Sequence, residues 1–130
     1  MGLRRYVCLG LALFFASAGV LHFTHTDAFA TIVPPPLPPA MTVQLTGAME
    51  LVLAAGLLVH KVRRWTGVLL ALYCAAVLPA NIYMAIEDIP VGNVQLHPAV
   101  LWLRVILQLP LIALILWASA PQPSRPAPKA

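Results

Sequence analysis

The sequence predicts an all-α fold: an antiparallel four-transmembrane-helix bundle with N and C termini cytoplasmic. Three observations lead there. The chain is 61% hydrophobic and only 9% charged, whereas a soluble domain carries about 25% charge. Four apolar runs each approach the ~20 residues a bilayer requires. Lys and Arg gather on alternate connections, as the positive-inside rule describes. The helices are expected at about residues 5–22, 43–60, 65–86 and 97–118, within a single membrane domain of residues 1–119. Residues 120–130 form a disordered, proline-rich cytoplasmic tail.

The first span follows Arg4 and Arg5. Its basic start, apolar core and Ala16-Ser17-Ala18 resemble a secretory signal. The apolar run continues past those small residues without a polar region, so a retained helix is the better reading. The next loop lacks Lys and Arg. Residues 26–33 suit a short interfacial helix capped by Thr26 or Asp27, with Phe29, Ile32 and Val33 on one face. Pro34-Pro35-Pro36-Leu37-Pro38-Pro39 then favours an extended polyproline strap across the outer mouth.

The second span is interrupted only by Thr46, Gly47 and Glu50. His60-Lys61-Val62-Arg63-Arg64 is a short basic hairpin. The third span starts at the interfacial Trp65 and carries Pro79 near its far end. A polar loop, residues 87–95, again lacks Lys and Arg. The fourth span runs from His97 to Trp117. The strap and the 87–95 loop therefore lie outside, and short connections favour an up-down-up-down bundle.

Several functions are excluded. No basic face is interleaved with aromatics, so nucleic acid is not a partner. Cys8 and Cys74 lie in apolar runs without a CxxC or Cys/His cluster, and read as small packed side chains. No glycine-rich phosphate loop or Ser/His/Asp arrangement is present. His22 and His25 lack a third ligand, so no metal site is expected.

The informative residues are polar ones inside the spans. An isolated cation costs about 2.5–3.5 kcal/mol to insert, so Arg104 needs a partner. Counted from the expected outer ends at Val43 and His97, Glu50 and Arg104 each lie seven residues in, about 10 Å deep. An ion pair between them is the expectation. Gln44, Gly47, Glu50 and Ala54 share one stripe; His97, Leu101, Arg104 and Gln108 share another. Asn81 lies near the outer end of span three, just past Pro79, which leaves a carbonyl free. His22 ends span one on the stripe of Phe15 and Gly19. The candidate ligand-binding cluster is thus Glu50, Arg104, Asn81, His22, Gln108 and Gln44. Tyr73 and the tryptophans read as belt or packing residues. Such a cluster either binds a small molecule or fastens the helices in register.

Five runs carry a family resemblance: Ala18-Gly19-Val20-Leu21-His22-Phe23, Ile32-Val33-Pro34-Pro35-Pro36-Leu37-Pro38, Gly47-Ala48-Met49-Glu50, Leu78-Pro79-Ala80-Asn81-Ile82-Tyr83-Met84-Ala85 and Leu101-Trp102-Leu103-Arg104-Val105-Ile106-Leu107-Gln108. In this order they resemble DoxX-like bacterial membrane proteins, over nearly the whole chain apart from the tail. The resemblance implies a small multi-pass protein of the inner membrane. The family takes its name from likeness to the small DoxD subunit of an archaeal thiosulfate:quinone oxidoreductase, and some relatives are associated with redox-stress complexes. The matching residues are His22, Glu50, Asn81 and Arg104.

The functional expectation is an outward-facing polar pocket in an accessory redox subunit that binds a quinone or another small molecule. The chain has no haem, flavin or iron–sulfur motif, so it holds no intrinsic cofactor. Electron transfer needs a quinone, an oxidoreductase partner subunit or both. Arg104, His22 or Asn81 meet the quinone carbonyls, and Glu50 or His22 handles protons. The alternatives are a small transporter or permease-like subunit, which with four helices needs a homo-oligomer to form a channel, or a structural assembly subunit without chemistry of its own. The lipid bilayer is a partner in every case.

Overall fold

A computed structural model describes residues 2–122 of the chain. The expected tail lies outside the described residues from position 123 onward. Four long helices cross the bundle: α1 (Leu3–Thr24), α3 (Pro39–Leu58), α4 (Arg63–Ile86) and α5 (Pro98–Ser119); a single short helix, α2 (Thr26–Ala30), follows α1. All four long helices have the length and apolarity to span a bilayer. Their exposed surface is dominated by large apolar side chains such as Leu13, Val52, Leu72 and Ile106, which suits lipid and not water. The chain is a multi-pass membrane protein.

α1 packs chiefly on α3 and α4 chiefly on α5. Thinner α3–α4 and α1–α5 contacts close the ring. Within the first pair, small residues set the approach. A Cβ placed on Gly47 would lie 2.7 Å from His22 Cβ and 3.1 Å from Gly19 O, so the two backbones meet where neither helix has a side chain in the way. The main core sits towards the basic end, where Cys8, Leu11, Phe15, Leu57, Leu70 and Ile115 are buried. A smaller cluster of Ile32, Met84, Ala85 and Leu101 closes the opposite end. The buried Glu50 and Gln108 lie between the two, whereas the buried Thr66 and Ser119 sit at the basic end.

Both ends of the bundle are tied by side chains. Arg63 Nε donates to Leu57 O at 2.8 Å, which satisfies a carbonyl at the end of α3 and stops that helix at Leu58, two residues short of the expected end. Arg4 stacks over the Trp117 ring at 5.0 Å, joining the two termini of the bundle. At the other end Thr31 donates to Pro90 O at 2.9 Å and links the two long loops. The 87–95 loop turns at Gly92, whose φ of +58° suits glycine, with Val91 and Val94 exchanging backbone hydrogen bonds.

Three expectations are corrected here. The strap is a turn, closed by Leu37 N–H on Pro34 O; Ile32 is buried just before it and pulls the chain back onto the bundle. α3 begins at Pro39, four residues early, because a proline at the first helical position loses no hydrogen bond. Neither Thr26 nor Asp27 caps α2: Thr26 Oγ1 donates backwards to His22 O at 2.8 Å. His97, by contrast, does cap α5, its Nδ1 accepting from Ala99 N–H at 3.1 Å.

Candidate functional site

Glu50 stands at the centre of α3 and is only 5% exposed. Tyr73 of α4 donates its hydroxyl to Glu50 Oε1 at 2.8 Å. His22 of α1 brings Nδ1 to 3.1 Å from Oε2. Helix geometry explains the meeting: side chains lean towards their own N-termini. α1 and α3 are antiparallel, so His22 leans into the bundle while Glu50 leans out to meet it. The same ring nitrogen lies closer to Ala18 O, at 2.7 Å. A carbonyl only accepts, so Nδ1 carries a proton and directs it to Ala18. Glu50 Oε2 is left buried without a hydrogen-bond partner. The His22 ring stacks on Phe29 of α2 at 4.5 Å between centroids and 9° between planes, so α2 roofs this group.

A second group links α4 to α5. Arg104 Nη2 donates to Asn81 Oδ1 at 3.1 Å. Asn81 Nδ2 donates to Gln108 Oε1 at 2.6 Å. Gln108 Nε2 donates in turn to Cys74 O, next to the Ala75 carbonyl that Pro79 deprives of its helical donor. Arg104 Nη1 also rests on Met84 Sδ at 3.5 Å. All donors in this relay point from Arg104 inwards.

The expected Glu50–Arg104 ion pair is therefore not formed. Its premise was equal depth from Val43 and His97. Because α3 starts at Pro39 and α5 at Pro98, Glu50 lies about 16 Å from its helix start and Arg104 about 9 Å. Arg104 meets Asn81 instead. Gln44 is also outside the cluster: it is exposed, and Val43 takes the buried position on the stripe with Gly47, Glu50 and Ala54. Of the remaining candidates, the structure joins His22 to Glu50, and Asn81 to Arg104 and Gln108. His25 is exposed and hydrogen-bonds Thr24 Oγ1 at 2.8 Å.

Tyr73, read from the sequence as a belt or packing residue, does pack in the main core, and its hydroxyl also belongs to the site. A signal was available, since Tyr73 lies eight residues past the interfacial Trp65. That is about 12 Å into the span, too deep for an aromatic belt.

Both polar groups line one cavity of about 1170 Å³. Apart from Thr42 and Thr46 its walls are otherwise apolar, and they come from all five helices. Exposed residues of α3 and α4, among them Met49, Val52, Leu69 and Leu72, form part of its lining. The side where these two helices meet is consequently open to the hydrocarbon. A largely apolar pocket with a few convergent polar groups is the ordinary form of a small-molecule site, typically about 300–1,000 Å³.

Residues 11–120 match the family described as a domain of unknown function, DUF8561. The chain belongs to that family. The match begins inside α1 at residue 11 and covers the other three long helices and both polar groups, so the cavity lies wholly within the DUF8561 region. No curated protein and no solved structure matches the chain.

Proposed function

We propose that this DUF8561 protein binds a quinone or a similar flat-headed, apolar-tailed molecule, and that it serves as an accessory redox subunit of the bacterial inner membrane. The observation that carries the reading is the cavity: large, apolar, open to the hydrocarbon between α3 and α4, and polar where Glu50, Tyr73, Asn81 and Arg104 reach it. A ligand dissolved in the bilayer reaches such a site sideways, with its tail left in lipid. Arg104 supports head recognition, since a guanidinium has five N–H donors and two of its nitrogens are engaged by Asn81 and Met84. The resemblance to DoxX-like proteins points to the same chemistry, with electrons supplied by an oxidoreductase partner. The placement of Arg4, Arg5, Lys61, Arg63 and Arg64 supports a cytoplasmic basic end.

The test is native mass spectrometry from mild detergent, with the retained small molecules identified. A co-purifying quinone-class molecule is expected in the wild type. Its occupancy should fall at least several-fold in Ala76→Trp, which places an indole on an exposed part of the lining. Absence of any retained ligand, together with failure to take up added quinone, would leave the two polar groups as helix fasteners only.

A further inference from the structure

Arg104 is the cation of the cavity, and no acidic side chain among the described residues neutralises it. It lies within the span of α5 and lines the cavity. The chain has four acidic side chains, and only Glu50 shares that lining. Glu50 is enclosed, with the Tyr73 hydroxyl and His22 Nδ1 beside its two oxygens. Arg104 leans instead on two neutral acceptors, Asn81 Oδ1 and Met84 Sδ. Neither offsets a unit charge, and an isolated cation in hydrocarbon is costly. A guanidinium carries five N–H donors, and among the described residues only these two contacts engage them. The residue is exposed, so a molecule entering the cavity can reach it.

We infer that the head of the bound molecule is an acid, a flat carboxylate that binds the Arg104 guanidinium, with its apolar tail running towards the basic end. The inference rests on the proposed binding of a flat-headed, apolar-tailed molecule in this cavity, and it assigns that head a negative charge. A carboxylate supplies the missing counter-charge and matches the guanidinium fork with two parallel hydrogen bonds. An aryl carboxylate also keeps the head planar, which suits the stacked His22 and Phe29 rings in the lining. A neutral quinone offers only carbonyl oxygens and leaves the cation uncompensated. The lining is graded to match. Arg104 lies about 9 Å from the start of α5, at the end away from the basic residues, whereas the apolar Leu53, Leu69 and Leu111 lie nearer the basic end. An acid in the leaflet opposite the basic end, with its tail pointing to the midplane, meets the cavity in that orientation.

The experiment compares probes that share one dodecyl tail: para-dodecylbenzoate, its methyl ester, a dodecyl benzoquinone and dodecyl phosphate. Protein is held in nanodiscs of phosphatidylcholine, which has no net charge, at about pH 8, where a carboxylate is ionised. Occupancy, relative to the probe dissolved in the bilayer, is read by native mass spectrometry. The benzoate should exceed both the ester and the quinone by at least about tenfold, the value of one charge-assisted hydrogen bond. Arg104→Gln keeps an amide donor for Asn81 but removes the charge, and should bind benzoate and ester equally. Equal occupancy by benzoate and ester in the wild type overturns the inference, and that comparison requires no variant to fold. An unchanged preference in Arg104→Gln overturns it as well. Dodecyl phosphate at or above the benzoate overturns the flat carboxylate in favour of a phosphate headgroup. Binding of none of the probes overturns this inference and the proposed function together, whereas quinone binding without a preference for the acid overturns this inference alone.

Discussion

Gly47→Ala adds one methyl group where α1 and α3 have no room for it. The new carbon would sit 2.7 Å from His22 Cβ, 3.1 Å from Gly19 O and 3.2 Å from Phe23 Cε2. Carbon–carbon contacts are comfortable at about 3.5–4.0 Å, so the helices must part by about 1 Å. None of the three neighbours is the free end of a long flexible chain, and Gly19 O is backbone. Overpacking of this kind costs about 1–3 kcal/mol. Helix propensity works in the opposite direction, since alanine is preferred over glycine by about 1 kcal/mol in a helix interior. Gly10→Ala supplies the control: nothing lies within 4 Å of its new carbon, so only the propensity gain applies. The propensity gain is common to both, so the two variants should differ by the overpacking cost of about 1–3 kcal/mol, with Gly47→Ala the less stable. Reversible unfolding of both proteins in mixed detergent micelles measures the difference. The same separation would stretch the 3.1 Å approach of His22 to Glu50 and lower ligand occupancy. Equal stability of the two variants would refute the claim that this glycine sets the α1–α3 distance.

Two other outcomes follow from the geometry. Asn81→Ala strands Gln108 Oε1 and removes the Arg104 acceptor, so it should destabilise the bundle by about 1–3 kcal/mol; Gln44→Ala, at an exposed position, should stay within about 0.5 kcal/mol, and the same unfolding titration compares them. Orientation is checked with a membrane-impermeant maleimide, to which the buried Cys8 and Cys74 should not react. Asn93→Cys should label in intact spheroplasts and Lys61→Cys only after lysis, and the opposite pattern would invert the assigned topology.

The outline of the fold was legible because a bilayer imposes its demands one residue at a time. Apolar runs of sufficient length, the basic residues at 4–5 and 61–64, and short connections were enough for four antiparallel helices. His97 was likewise readable as the start of α5, because the residue before a helical proline is held extended. Helix starts were less legible where chemistry is permissive. Pro38-Pro39 reads equally as the end of an extended strap or the first turn of a helix, and burial of Ile32 with the turn at Leu37 selected the second.

The site was half legible for the same reason. Expense inside a membrane marks a residue whatever its partner, so Glu50, Arg104, Asn81, His22 and Gln108 all stand out in one dimension. Which of them meet depends on where each helix begins and how it leans. Four extra residues at the start of α3 moved Glu50 about 6 Å deeper, away from Arg104 and towards Tyr73 and His22. One dimension was enough to require a polar partner for Arg104, because an isolated cation in hydrocarbon is too costly. Helix packing settled that the partner is Asn81 and that Glu50 meets Tyr73 and His22 instead, because hydrogen bonds depend on distances of a few tenths of an ångström that packing alone sets.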